Sequence, residues 1–342
     1  MHSSHVSTPP YSVTAAILQQ IVEIGEWLGR LTARTPGAIA PKLRRANRLR
    51  SVQATLAIEN NTLSLEQVTA VLAGKRVLGL PREIQEVRNA FAAYERLATW
   101  RPTSQGDLLE AHGLLMAGVV DRPGAFRSSN VGIFRGNKVV HMAPPAKRVP
   151  SLMADLFAWL GDAGEHPLIA SCVFHYELEF IHPFDDGNGR LGRLWQTLIL
   201  ATWNPLLAYL PVETVIRARQ EDYYRALAQA DTHGDSTRFI EFILAALGKA
   251  LEDAATSDQV SDQVSDQVLR VLKRVEVKEV QAADIMRGLG LSHRPSFRKN
   301  SLDPALRAGL IERTEPDAPR SPTQRYRLTQ KGLRVLKRIT GE

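Results

Sequence analysis

Residues 182–193 read HPFDDGNGRLGR, and within them Gly187, Gly189 and Gly192 satisfy the dinucleotide-binding pattern G-x-G-x-x-G. That pattern works only when a strand leads into the glycines, a helix leaves them, and an acidic residue follows about 20 positions on to hold a ribose. Glu213 stands near that distance. Upstream, Phe174, Tyr176, Leu178 and Phe180 alternate as in a strand, while Ile169, Cys172, Val173, Tyr176 and Phe180 share one helical face, so periodicity leaves both open. The surroundings weigh against a dinucleotide. No repeated strand–helix alternation flanks the motif, Glu213 follows Pro211 rather than ending a strand, and Arg190 and Arg193 have no part in such a turn.

Taken as chemistry, the same residues suggest a phosphate site. Leu191, Leu194, Trp195, Leu198 and Ile199 are spaced to bury one helix face, so a helix begins close to Asn188 and Gly189. Gly187 and Gly189 can take backbone conformations closed to other residues, and the first N–H groups of the helix then converge on an anion, reinforced by the helix dipole. Arg190 and Arg193 project from the first turn toward whatever that nest holds. Asp186 beside a phosphate would be repelled unless a divalent cation, usually Mg²⁺, sits between them. His182 is placed to act as general base on an incoming hydroxyl, while Pro183 and Phe184 read as structural.

Outward from the motif, the chain of 342 residues with 44% apolar content can bury a sizeable core and suggests about two or three domains. A single cysteine, Cys172, excludes an internal disulfide framework, and the amino terminus MHSSHVSTPPYSV has no apolar stretch like a signal peptide. No run approaches the roughly 18 apolar residues of a membrane span, so the expectation is a cytoplasmic protein with no membrane partner. The net charge of +7 is unevenly placed: residues 270–342 hold 17 Lys and Arg against 8 Asp and Glu, a net of +9, which leaves 26 against 28, a net of −2, in the rest.

Nearly everything before residue 250 reads as helix. The helix from Pro41 meets Glu59-Asn60-Asn61, where an asparagine can close it in the left-handed conformation. Ser64 and Gln67 make a capping box for a helix stopping at Gly74. Further helical spacing covers 84–99, 106–119, 149–161, 212–230 and 236–251. Val131, Ile133, Val139 and Val140 flank Arg135-Gly136-Asn137 as a short β-hairpin, closed off by Pro144 and Pro145. SDQV, repeated from Ser257 to Val268, reads as a linker helix whose valine stripe could pair with a second copy in a homodimer. Beyond it, three short helices and two β-like segments around a Pro/Ser-rich turn give the layout of a winged helix-turn-helix, and its basic charge makes DNA a candidate partner.

HPFDDGNGRLGR resembles the signature of the Fic (Fic/Doc) family, H-[PF]-F-x-[DE]-G-N-G-R-x-x-R, at every defining position. The resemblance extends to HGLLMAGVVDRPGAFRSSNVGIF before the hairpin and QEDYYRALAQAD after the motif. It implies a mainly α fold, a Fic-type helical bundle with a small β-hairpin flap, joined to a winged helix. The implied activity is AMP transfer from ATP to a Ser, Thr or Tyr hydroxyl of a target protein or of the enzyme itself. His182 would then be the catalytic base and Asp186 the Mg²⁺ ligand; Gly187, Asn188, Gly189 and Arg190 would bind the α/β-phosphates and Arg193 the γ-phosphate. Tyr223, Tyr224 and Asp231 would border adenosine. Val131, Gly132, Ile133 and Phe134 would form the flap over nucleotide and target; Phe134-Arg135 stands where many members have two glycines. Thr55 to Asn60, TLAIEN, is similar to the family's inhibitory pattern [ST]-x-x-x-E-[GN], which implies that Glu59 forms a bidentate pair with Arg193 and takes the place of the γ-phosphate.

The expected organisation is an amino-terminal helical region over 1–100 that includes the inhibitory helix, a catalytic core over 101–250, a linker helix over 251–268 and a winged helix over 269–342. Two alternatives stand beside the adenylyltransferase: a DNA-binding regulator whose core senses nucleotide, and an enzyme of the same type using another phosphate-containing donor.

Overall fold

The structure, a computed structural model, describes residues 8–34, 41–135, 138–162, 164–261, 266–275, 279–291, 293–315, 318, 321 and 323–340. They form two compact units, Met1–Glu252 and Asp253–Glu342. The first unit runs α1 (Ala15–Arg34), α2 (Pro41–Ile58), α3 (Leu65–Leu72), α4 (Pro81–Glu95), α5 (Gln105–Leu115), β1 (Gly132–Arg135), β2 (Lys138–Met142), α6 (Val149–Asp162), α7 (Pro167–Ile181), α8 (Asn188–Trp203), α9 (Val212–Ala218), α10 (Gln220–His233) and the start of α11 (Thr237–Ser261). The fold is mainly α, as the sequence implies, and none of the described helices is long and apolar enough to cross a membrane.

The segment ahead of the glycines is the helix α7, which removes the strand that a dinucleotide site requires. Its ambiguous periodicity has a physical cause. Leu168 to Tyr176 are buried without a break, and a helix covered on all sides carries no polar stripe to reveal its period. α7 packs on α8, where Trp195 stacks with Phe174 at 6.5 Å and meets Phe157 edge-on at 6.4 Å. The Trp195 indole N–H donates to Pro102 O at 2.9 Å. Burying each such ring contributes about 1.5–3 kcal/mol, and the helices that carry the glycine motif are thereby fixed to each other.

Local signals before the motif behave as their chemistry dictates. α2 ends at Ile58 and Asn60 turns the chain with φ 67°. Ser64 Oγ accepts from Gln67 N while Gln67 Oε1 accepts from Ser64 N, closing the capping box of α3. The helix expected over 212–230 is instead two, α9 and α10, broken at Arg219. β1 and β2 pair antiparallel with an irregular register between Ile133 and Phe134. Gly136 and Asn137 of the expected turn lie outside the described residues, as do 262–265 within the SDQV repeat that the expected linker helix contains: α11 runs to Ser261 and the next helix begins at Asp266.

The second unit comprises α12 (Asp266–Val275), β3 (Val280–Gln281), α13 (Ala282–Gly288), α14 (Arg294–Phe297), a π-helical turn over Arg298–Leu302, α15 (Asp303–Arg307), β4 (Ile311–Arg313), β5 (Arg325–Leu328) and α16 (Gln330–Thr340). β5 lies between β3 and β4, antiparallel to both. β3 and α16 are elements that the sequence layout of three helices and two strands does not include. Val271, Leu272, Ile285, Phe297, Leu302, Ile311, Tyr326 and Leu336 give this unit a core of its own.

Candidate active site

His182 ends α7 in the left-handed conformation, φ 49° and ψ 60°, with its N–H on Leu178 O at 2.9 Å. A left-handed histidine at a helix end needs support, and Arg127 supplies it. Arg127 Nε donates to His182 O at 2.7 Å, its Nη2 to Ile181 O and Pro144 O, its Nη1 to Ser129 O, and its backbone N–H to Pro183 O. One buried guanidinium thus satisfies the last carbonyls of α7, complements its dipole and fixes where His182 stands.

Phe184, fully buried, stacks on His112 with ring centroids 3.7 Å apart. Gly124 N–H donates to His112 Nδ1 at 2.9 Å, so the ring proton is on Nε2, which donates to Asp186 O at 3.0 Å. Burial lowers the His112 pKa, keeping it neutral. Asn188 donates its side-chain amide to Phe184 O and accepts from Phe184 N–H at 3.0 Å, closing the loop on itself. Gly187 caps α8 at φ 90°, and a Cβ there would sit 2.7 Å from Met116 Sδ. Gly189, by contrast, is helical. Its lack of a side chain matters for a different reason from the unusual φ expected of it: a Cβ would lie 2.5 Å from Glu59 Oε1 and 3.2 Å from Glu179 Oε1.

The two arginines part company. Arg190 is buried and points beneath the loop, donating to Glu86 Oε1 at 3.0 Å and to Asp186 Oδ1 at 2.6 Å. The expectation that it projects into the phosphate nest is therefore corrected: one buried carboxylate holds it away from the cleft, where it positions Asp186. Arg193, 2% exposed, does reach the cleft. Its Nη2 donates to Glu59 Oε1 at 2.7 Å and to Thr55 O at 3.1 Å, and its Nε to Thr55 Oγ1 at 2.9 Å. The pair with Glu59 is single-toothed, not bidentate: it runs through Nη2, which Thr55 O shares, while Nε goes to Thr55 Oγ1. Burial alone would lower the Arg193 pKa; the Glu59 carboxylate reverses this and holds it above the ordinary range.

These groups line one open cleft of about 1100 Å³, with Glu59, Glu179, His182, Asp186, Gly187, Asn188, Gly189, Arg193, Tyr223, Tyr224 and Asp231 on its walls. Val131 and Gly132 are not in its lining, and the side chains of Ile133 and Phe134 lie outside the described residues. Tyr223 is buried, its hydroxyl 3.2 Å from His175 Nε2. Burial and the Arg193 charge lower the His175 pKa to about 3, leaving a neutral ring that is also bonded to Gln196. Tyr224 Oη and Gln220 Nε2 both donate to Ile58 O, at 3.4 and 2.9 Å, capping the end of α2 beside Glu59. Asp231 accepts from Tyr176 Oη at 3.1 Å.

Arg127, Glu86, Arg82 and Glu179 escape a reading of the sequence, since their partners lie up to 104 positions away and no local spacing announces them. Thr55 is legible as the first residue of the inhibitory pattern, but its bonds to Arg193, 138 positions away, are not. Burial, reinforced by the Glu59 charge, pushes the Glu179 carboxyl up to about 7 against the pull of Arg193. Glu213, the candidate ribose ligand of a dinucleotide site, is buried with Ser51 and Tyr94 as its partners. For a divalent cation, the fit is partial. Asp186 Oδ2 takes Arg82 at 2.8 Å and Oδ1 takes Arg190, and no cluster of three or more acidic, His or Cys groups exists among the described residues. One carboxylate suits Mg²⁺ arriving with substrate phosphates, which keeps most of its ligands as water and phosphate oxygen.

Residues 102–200 match the Fic/DOC family, and residues 266–329 match the family described as filamentation induced by cAMP protein Fic-like, C-terminal domain. Among curated proteins, protein adenylyltransferase fic-1 of Caenorhabditis briggsae is 34% identical over 200 residues, 55% of this chain and 38% of that protein. Protein adenylyltransferase Fic of Culex quinquefasciatus is 28% identical over 235 residues, 63% of this chain and 44% of that protein. The chain thus spans about two fifths of the length of the curated relatives it matches. Among solved structures, a Fic family protein from Desulfovibrio desulfuricans G20 is 62% identical, covering 95% of this chain and 99% of that one, with a TM-score of 0.73. With that identity across nearly the whole of both chains, and the glycine loop and its histidine built as described, this chain belongs to the Fic family.

Proposed function

We propose that the protein is an adenylyltransferase that moves AMP from ATP onto a Ser, Thr or Tyr hydroxyl of a target protein, and onto itself, and that Glu59 restrains it. The observation that carries this reading is the 2.7 Å contact between Glu59 and Arg193, in the same cleft as His182 and the amino terminus of α8. An anion-binding helix terminus, a cation and a base facing one space suit phosphoryl chemistry, and a carboxylate on the cation is a competitor for a phosphate.

In this reading the first N–H groups of α8, released from side-chain capping by Gly187, face the α- and β-phosphates. Arg193 takes the γ-phosphate once Glu59 withdraws. His182 accepts the hydroxyl proton as the oxygen forms a bond to the α-phosphorus; the bond from that phosphorus to the bridging oxygen breaks and pyrophosphate leaves. Asp186, aimed by Arg190 and Arg82, would hold Mg²⁺, whose charge offsets that of the phosphate oxygens. Tyr223, Tyr224 and Asp231 wall the part of the cleft left for adenosine, and the β1–β2 hairpin would present the target strand.

Incubating the chain and its Glu59→Gly variant with ATP labelled at the α- or γ-phosphate decides the chemistry. Label retained on protein from the α position alone is expected. Retention of the γ label alone would replace AMP transfer with phosphate transfer, and neither label would sink the enzyme reading.

A further inference from the structure

The positive charge of residues 270–342 sits in a unit that contributes none of the groups placed in the cleft of His182. Its placement is ordered. Along the helical stretch from Arg294 to Arg307, Phe297, Ser301, Leu302 and Ala305 turn inward and are buried, while Arg294, Arg298, Lys299 and Arg307 are exposed. Midway, Asp303 N–H bonds to Arg298 O, five residues back, a π turn that advances the outer face and sets Arg298, Lys299 and Asn300 out together. Arg298, Lys299 and Arg307 share a cleft with Arg313 of β4, and Asp303 is the one acid in its lining.

The order of elements supplies the rest. A helix, a short strand, a second helix, a turn, a cationic third helix and a β4–β5 hairpin make the arrangement in which the third helix is exposed on one side and flanked by a wing. At 1.5 Å per residue that helix is about 20 Å long, and a B-form major groove about 12 Å wide admits it. The cleft offers an acidic peptide two apolar side chains, Pro295 and Leu306, beside its cations, whereas the exposed cationic face extends along a helix that fits a major groove.

We infer that residues 253–342 form a winged helix-turn-helix that binds duplex DNA, with the Arg294–Arg307 helix in the major groove and Arg298, Lys299 and Arg307 on phosphates or base edges. Removing one phosphate-bound cation lowers the slope of log affinity against log salt by about 0.9.

The test uses the full chain, a labelled mixed-sequence duplex of about 30 base pairs, and anisotropy titrations between about 50 and 200 mM salt. Wild type should bind with steep salt dependence. Arg298→Ala/Lys299→Ala/Arg307→Ala should reduce the slope by about 3, so that the fall in affinity across this salt range shrinks about 40-fold. Lys299→Ala alone, an exposed change that leaves the core intact, should reduce it by about 1. Arg30→Ala/Arg96→Ala/Arg238→Ala removes the same charge from the other unit and should change nothing. An absence of binding at about 50 mM salt, equal slopes in the two triple variants, or equal affinity for single strands or polyglutamate would each overturn the proposal.

Discussion

On the proposed reading, Glu59 restrains the site through Arg193 without holding the fold together. A charged hydrogen bond contributes about 1.5–3 kcal/mol, and Thr55 keeps two further bonds to the guanidinium when the carboxylate goes. Glu59→Gly should therefore fold normally and raise self-labelling by about 10- to 150-fold, the kinetic equivalent of that range; unchanged labelling with intact ATP binding would remove Glu59 from control. His182→Ala should abolish labelling while isothermal titration finds ATP affinity within about twofold of wild type, because the helix terminus and Arg193 remain. Glu179 adds a pH dependence whose sign follows from its raised pKa. Between the ordinary 4.5 and about 7, the folded protein keeps a proton that the unfolded chain has released, so stability falls as pH rises through that window and the whole penalty is present above it. Glu179→Gln should be more stable than wild type at pH 8, by up to about 3 kcal/mol, and no more stable near pH 4. Urea unfolding at both values checks this, and an equal difference at both would show that ionisation of Glu179 is not what separates the two proteins.

At the scale of elements, α2, the helix that leads into Glu59, is held at its far end by α10. Gln220 and Tyr224 both donate to Ile58 O, a helix-terminal carbonyl with no partner inside the helix. Gln220→Ala should loosen that end by about 0.5–1.5 kcal/mol and raise self-labelling by about 2- to 12-fold, yet add nothing in a Glu59→Gly background, where the carboxylate that α2 delivers is already gone. A gain that persists in the double variant would place Gln220 on the nucleotide instead. Elements were legible in the sequence where local chemistry decides them: the Ser64–Gln67 box, the turn at Asn60, the start of α8 at Asn188. They were opaque where burial decides, as in α7, whose covered faces erase the periodic signal, and at Arg219, which splits one expected helix into two. The motif likewise announced its histidine, aspartate and arginines, but it could not distinguish Arg193 from Arg190, since the difference is the carboxylate of Glu86 on a helix about 100 residues away.

Across the whole molecule, every side chain of the candidate site belongs to the first unit, and the second has its own core around Phe297. Phe297→Ala should unfold or weaken that unit, at a cost of about 3–5 kcal/mol, and leave the rate of self-labelling by Glu59→Gly protein unaltered; a parallel loss of both would show that the tail supports catalysis. A last consequence lies in Glu86. One of its oxygens accepts from Arg190, which steadies Asp186, and the other accepts from Asn61, two residues past Glu59. Asp186, proposed to hold the ion, and the turn beside Glu59, proposed to restrain the site, thus draw on one shared acceptor, and thermodynamic reciprocity applies to whatever they bind. If a cation that recruits Asp186 loosens the turn by some factor, then loosening the turn must tighten the cation by the same factor. Restraint and ion requirement would rise and fall as a single quantity, so that the released enzyme would also be the one that works at the lower ion concentration.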